Sequence, residues 1–560
     1  MFKKAIEKHP VLTVLLFMAV TLTPMMAMRD YSPSNELRYL SIADEALSDG
    51  NIFAFTNQGE HYADKPPLYF WLIMLCKLLF GEHSMFVLSL FSFIPACVII
   101  AIMDKWITAA LPGCFNAEER AGAALLAATC GLFLGMSVFL RMDMLMCMWI
   151  VLALWTFWKM DNGIGNIKVQ HWLLPLYIFL ALFTKGPVGL LAPPLAISVY
   201  LICDRRPKDI FKYLGIKTWG LIAGLCLVWF TGVWFDGGKE YLNNLLFHQT
   251  VGRAVNSFHH KAPLWQYCIL IWEVMAPWCL LTVPCAVLAL CGKAEKKPLK
   301  VEKFFALTVI TIFLMLSCFS SKLAIYLAPV FPFLAYCFPV VVKRRCWNGW
   351  FGAALAIPAL LFIIIGAAAL IVSLVCIIFK SVPELINYPF LRSPMILLAG
   401  LIGIAGGAIA LHSLAKYKGQ WEKPVKAMAM SLLLFIFAVS FEMPRINDFV
   451  GYGNLCKLIP EGNDVYTLSV HRPENMDVYL GRDIYDFGKD AESFLMIAPK
   501  KGSLVVSISF LSKNPEVMEY LEGLDFEFCG NYAIYNLDLE ETSKSKIKIN
   551  KVTKKSRKDS

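Results

Sequence analysis

Thirteen apolar stretches, most of them close to the length of a membrane span, dictate what this chain can become. They run at 9–28, 85–104, 121–140, 144–160, 171–184, 187–203, 217–235, 265–291, 303–320, 324–341, 349–379, 394–413 and 426–442. A helix needs about 20 apolar residues to cross the hydrocarbon core of a bilayer. One water-soluble core could not enclose so many such runs in 560 residues. With 58% hydrophobic and 17% charged residues, the expected fold class is an all-α polytopic membrane protein of about 13 transmembrane helices. The N-terminus carries Lys3-Lys4 ahead of the apolar run Val11 to Met28, like a signal peptide, but shows no small-residue cleavage site. It is read as a retained signal anchor.

The charges between spans fall into two sets. One holds Arg205, Arg206, Lys208 and Lys212; Lys293, Lys296, Lys297 and Lys300; Lys343, Arg344 and Arg345; and Lys416, Lys418 and Lys423. The positive-inside rule places these loops in the cytoplasm. The net charge of +10 is thus a topology signal and not a nucleic-acid surface. The other set, at 29–84, 141–143, 236–264, 321–323 and 380–393, is expected to face the periplasm. Residues 66–80 would flip this parity if counted as a span. At about 15 residues they are too short to cross, and are read as a helix lying along the membrane surface. The segment 29–84 is then one large outer loop.

After Glu442 the composition changes. Residues 443–540 contain β-rich runs (Asp464 to Val470, Ser503 to Phe510, Phe526 to Leu537) separated by helix-like stretches (Ala491 to Ile497, Asn514 to Leu521). This predicts a small C-terminal extracytoplasmic α/β domain. The Lys-rich tail, 541–560, lacks apolar periodicity and is expected to be disordered. Of 17 cysteines, most lie in apolar runs and none forms a Cys-x-x-Cys pair, which argues against cysteine metal chemistry. Cys456 and Cys529 are the only two in the C-terminal domain, so a disulfide and two buried thiols both stand open.

Charged groups beside a bilayer are costly unless they bind something. Two clusters stand out in the outer loop: Asn35-Glu36-Leu37-Arg38-Tyr39 and Asp64-Lys65-Pro66-Pro67. Arg141-Met142-Asp143 interrupts a long apolar stretch, although a plain reverse turn would look similar. Thr184-Lys185-Gly186-Pro187 is also ordinary turn chemistry. His259-His260 sits in a long outer loop and suits a metal, a phosphate or solvent. Lys322 and Tyr326 lie one helical turn apart, on one face if the segment is helical. Arg38, Lys65, Arg141, Lys185 and Lys322 are the outer cations; Glu36, Asp64 and Asp143 are the carboxylates. Fixed cations stabilise charge developing on a departing phosphate, and a carboxylate can activate an accepting nucleophile.

These residues resemble the polyprenyl-phosphate-dependent glycosyltransferases of the GT-C class, above all the lipid A aminoarabinose transferases and the protein O-mannosyltransferases. Six short motifs carry the likeness in order: Asn35 to Tyr39, Asp64 to Pro67, Asp143, Thr184 to Gly186, His260 to Trp265, and Ser321 to Pro329. The resemblance implies an inverting transfer of a monosaccharide from a polyprenyl-phosphate carrier to a lipid A, glycolipid or protein acceptor. It also implies the inner membrane, with site and C-terminal domain periplasmic. Transposed onto this chain, it makes Glu36, Asp143 and Asn35 the catalytic positions. The substrate-binding positions are Arg38, Tyr39, Asp64, Lys65, Arg141, Lys185, His259, His260, Lys322 and Tyr326. One departure matters: members usually carry Asp where this chain has Asn35, and an amide is not a base at neutral pH. Glu36 or Asp143 then takes the role, unless the acceptor is already an anion. No cofactor is demanded; a divalent metal through Asp64 and the histidines is left open.

A transporter or flippase is the competing class. Coupled transporters carry charges deep inside spans, whereas 144–158, 218–235, 304–320 and 394–411 have no Asp, Glu, Lys or Arg; Glu273 is the main exception. A non-catalytic scaffold is a third class, to which Asn35 lends some support.

Overall fold

The computed structural model describes residues 2–246, 262–291, 297–344, 349–379, 388–497 and 499–538. Among these, 10 helices are long and apolar enough to cross a membrane, or 11 if the bent pair Ala117–Ala128 and Gly131–Val138 forms one span. Two further expected spans take other forms. Pro187–Cys203 is a single helix of 17 residues, and 265–291 is broken into Gln266–Val274 and Cys279–Leu288. The architecture is therefore polytopic and helical, with two of the thirteen apolar runs sharply bent or broken.

Two consecutive helices, Met142–Asp161 and Ile167–Lys185, form an antiparallel hairpin that sets the axis of the molecule. Asp143 lies in the first turn of one and Lys185 at the last residue of the other. At the opposite end, the Asp161 side chain is buried and paired with Arg206 and Lys300, and Arg344 pairs with the buried Glu302. The basic clusters Arg206, Lys300 and Arg344 thus lie a full helix length, about 27–30 Å, from Asp143. Between the two ends Trp106 packs against Trp155, Trp158, Phe304, Phe305 and Phe333.

The segment 29–84 is ordered. It holds the helix Glu36–Asp49, a tiny hairpin pairing Thr56–Asn57 with Glu60–His61, and the helix Leu68–Phe80. The last is 13 residues, too short to span. It buries Tyr69, Phe70 and Ile73 and exposes Leu75, Leu78, Leu79 and Phe80, as a helix resting its apolar side on a bilayer would. The helix Ile216–Asn243 staples the loop from the side. Asp236 Oδ2 accepts from the Ile52 and Phe53 amides at 2.9 and 2.8 Å, and the Tyr241 hydroxyl donates to the Tyr62 carbonyl at 2.7 Å.

The C-terminal region is an α/β unit built on a five-stranded mixed sheet. The strand order is Ile484–Asp486, Val465–Leu468, Lys501–Ser507, Tyr532–Asp538 and Phe526–Cys529. The first three are parallel and the last two antiparallel, with Val465 opposite Ile484 and Ser503, and Leu504 opposite Tyr535. Period-two alternation buries both faces. Leu504 and Val506 meet Phe494 and Val517 under the domain's own helices, while Val505 and Ile534 join the main core. Residues 508–510, expected to extend a strand, instead begin the short helix Ile508–Leu511. Cys456 and Cys529 are buried thiols without a bond between them.

This unit is anchored to the start of the outer loop by polar contacts. Asp30 accepts from the Gly453 and Tyr31 amides and from the Tyr479 hydroxyl. A Cβ at Gly451 or Gly453 would collide with that carboxylate. Asp477 Oδ2 accepts from Ser41 Oγ at 2.7 Å and from Gln58 Nε2 at 2.9 Å. His471 Nε2 lies 2.9 Å from Ser34 Oγ.

Candidate active site

Pro66 and Pro67 deny the backbone a helix until Leu68, so Asp64 and Lys65 stay in a turn at the lip of the loop. Lys65 Nζ lies 3.3 Å from Asp64 Oδ2, and the Tyr62 hydroxyl donates to the same oxygen at 3.4 Å. The Arg38 guanidinium sits 5.7 Å from the centroid of the Tyr62 ring and donates to Asn35 Oδ1 at 3.2 Å. Tyr39, one residue along, is buried edge-on to Phe70 with centroids 5.8 Å apart. Burial pushes its phenol up to about 12, and the charges that act on it are those of Arg141, Asp143, Arg38 and Asp64. Two loops and one span therefore converge on Tyr39.

Asp143, only 3% exposed, accepts from Lys185 Nζ. The Nε of Arg141 lies 3.9 Å from its other oxygen. Ser92 fixes the Arg141 backbone, accepting from the amide at 3.3 Å and donating to the carbonyl at 3.2 Å. Lys185 is held where it is by the residue behind it. Gly186 adopts φ +103°, a conformation that L side chains resist, and Pro187 then opens the next helix. The Lys185 ammonium also lies 4.9 Å from the centroid of the Tyr326 ring, and Lys65 and Arg141 are close enough to repel it. Among the described residues the cluster thus holds four cations, Arg38, Lys65, Arg141 and Lys185, against two carboxylates, Asp64 and Asp143.

Glu36 stands apart from this cluster and departs from its expected role. Its carboxylate takes both Nη groups of Arg29 at 2.8 Å, the Ser32 amide at 2.7 Å and the Leu140 amide at 2.6 Å. At 1% exposure with four donors in place, it is a structural tie between the outer loop and the segment leading to Arg141, not an available base. Lys322 and Tyr326 also depart from the helical spacing expected of them. Lys322 precedes the 3-10 helix Ala324–Val330 and donates to the Phe319 carbonyl at 2.6 Å, while Tyr326 turns to Lys185. His259 and His260 lie outside the described residues. Among those residues no group of three His, Cys, Asp or Glu side chains is placed to hold a metal. Two contributors were absent from the sequence reading: Arg29 and Ser92. Neither gave a signal, because their partners lie at Glu36 and Arg141.

Residues 64–234 match the family described as dolichyl-phosphate-mannose-protein mannosyltransferase. The chain is 27% identical over 322 residues to an undecaprenyl phosphate-alpha-4-amino-4-deoxy-L-arabinose arabinosyl transferase of Pseudomonas fluorescens, an alignment covering 56% of this chain and 54% of that one. It is 26% identical to the enzyme of that name from Pseudomonas paraeruginosa, over 71% of this chain and 69% of that one. The first alignment thus spans about half the length of the relative. Among solved structures, ArnT from Cupriavidus metallidurans bound to undecaprenyl phosphate superposes with a TM-score of 0.68 at 18% identity, covering 93% of this chain and 97% of that one. Its apo form gives 0.66 at 19% identity, with coverages of 94% and 98%. The fold is that of ArnT. The resemblance to GT-C-class polyprenyl-phosphate glycosyltransferases, drawn from six motifs, is borne out, and the chain is a multi-pass membrane protein with the fold of ArnT.

Proposed function

We propose that this chain is a membrane glycosyltransferase that moves a monosaccharide from a polyprenyl-phosphate carrier to a lipid A, glycolipid or protein acceptor. The observation that carries this reading is the charge count around Asp143 and Lys65: four cations against two carboxylates. A polyprenyl phosphosugar is a phosphodiester with one negative charge. Breaking the bond between its anomeric carbon and phosphate oxygen leaves a phosphomonoester with a second charge developing. The surplus of two positive charges among the described residues matches the departing group better than the intact donor, and such differential binding is what accelerates the step. Lys65 and Arg141 grip the phosphate, Lys185 orients Asp143, and Arg38 with Tyr62 walls the sugar. Asp143 is the carboxylate that faces the acceptor, since Glu36 is committed to Arg29. A single displacement of this kind inverts the anomeric centre.

The placement of the basic loops at the far end of the Met142–Asp161 hairpin supports a periplasmic site. The proposed location is accordingly the inner membrane, with residues 443–540 as a periplasmic domain docked on the outer loop. The test is a purified-protein assay with a radiolabelled polyprenyl-phosphate sugar in liposomes. Appearance of label on an acceptor supports transfer. Movement of the intact donor across the bilayer without transfer would replace this reading by the flippase class.

A further inference from the structure

A cavity of about 550 Å³ lies beside the proposed site, behind the Arg29–Glu36 pair. Its walls are apolar, among them Leu22, Met25, Leu134, Val138 and Ile436, drawn from three different helices. Water in such a space would find few polar partners, so the body of the cavity suits hydrocarbon.

Its head is formed by Arg29, Asp30 and Ser32. The two Nη groups of Arg29 are taken by Glu36 and Val138, but its buried Nε has no hydrogen-bond partner. A buried donor left unpaired is destabilising. The formal charge at the head is −1: Arg29 against Glu36 and Asp30. The Asp30 oxygens are already taken by Gly453, Tyr31 and Tyr479. An anionic phosphate is not drawn to such a head. A neutral acceptor on an apolar chain is, and an ester carbonyl is that group.

We propose that this cavity holds one acyl chain of a zwitterionic glycerophospholipid of the surrounding bilayer. The chain lies along Leu22, Leu134 and Ile436, and its ester carbonyl accepts from the Ser32 hydroxyl and relieves the Arg29 guanidinium behind it. Because Glu36 ties Arg29 to the Leu140 amide, one residue before Arg141, an occupied cavity steadies the wall of the proposed site. The inference does not rest on the sugar-transfer reading.

Native mass spectrometry of the full-length protein in mild detergent, with added phosphatidylethanolamine, tests it. One phosphatidylethanolamine should persist under activation that strips the others, and should raise the melting temperature. Gly135 lines the cavity and has open space where its Cβ would stand. Gly135→Phe should therefore fill the cavity and cut retention at least tenfold. Gly220→Phe, equally unobstructed on an exposed helix face, should leave retention unchanged. Phosphatidylethanolamine with a diazirine in its acyl chain should crosslink wild-type protein at Leu22, Leu134 or Ile436, which decides the matter even if Gly135→Phe fails to fold. Equal retention in Gly135→Phe, crosslinks confined elsewhere, or a retained molecule that proves to be a polyprenyl phosphate or a glycolipid would overturn the proposal.

Discussion

Lys185 donates to Asp143 across the mouth of a helical hairpin, joining the last residue of one helix to the first turn of its neighbour. Both positions suit the helix dipole, which favours an anion at an N-terminus and a cation at a C-terminus. The pair is largely buried, and a buried ion pair alone is weak grounds for stability. Its setting beside Lys65 and Arg141 is what the proposed function draws on.

The first expectation concerns that carboxylate. Asp143→Asn keeps the shape and removes the charge. General-base roles contribute about 10²–10⁴ in rate, so transfer should fall by at least 10²-fold while the protein still elutes as a folded monodisperse species. Turnover of Asp143→Asn within a few fold of wild type, measured with the labelled donor, would remove Asp143 from the mechanism.

Lys65 gives a different signature. If it contacts the departing phosphate, Lys65→Ala should lower kcat by about 10²–10³ with a smaller change in donor affinity, as loss of one preorganised charge does elsewhere. Lys65→Arg should restore only part of that, because a guanidinium spreads its charge over a wider fork. A defect confined to KM for the acceptor would instead place Lys65 on the acceptor side.

Glu36 should behave as a structural residue. Removing one partner of a buried pair leaves an uncompensated charge, at about 3–5 kcal/mol. Glu36→Gln strands the Arg29 guanidinium and weakens the tie to Leu140. The expected result is a clear drop in thermal stability, with any residual folded protein retaining part of its turnover. A variant as stable as wild type but inactive would return Glu36 to a catalytic role.

These contrasts show what the sequence could and could not reveal. Asp64, Lys65, Asp143 and Lys185 were legible because charge inside apolar sequence is expensive, and the fold pairs Asp64 with Lys65 and Asp143 with Lys185, with Lys65 near enough to act on Lys185. The strands at Val465, Lys501 and Phe526 were legible from their β-branched and aromatic runs. The role of Glu36 was not, because a carboxylate's availability is decided by its donors, and here they come from Arg29 and from Leu140, 104 residues away. The Lys322–Tyr326 pairing failed for a local reason: the helix ends at Cys318 and the next turn is a 3-10 helix that starts only at Ala324. Hydropathy likewise sees an apolar run at 121–140 but not the 73° bend within it. The docking of His471 and Asp477 onto Ser34 and Ser41 spans more than 400 residues and left no trace in local pattern.

That docking carries its own pH dependence. Burial, its largest influence, raises the Asp477 carboxyl above the usual range despite hydrogen bonds from Ser41 and Gln58. The folded state therefore keeps a proton that the unfolded chain releases near the ordinary aspartate value of about 3.9. Where the native state binds more protons than the unfolded one, stability falls as pH rises. The contribution of Asp477 should thus be full below about pH 4 and decline as the pH climbs through its raised folded value. Asp477→Asn cannot titrate and should remove this slope. Limited proteolysis between residues 440 and 480 across pH 4–7 should show the wild-type domain loosening with rising pH and the variant changing less. Parallel profiles for the two proteins would mean that Asp477 is not the group that titrates.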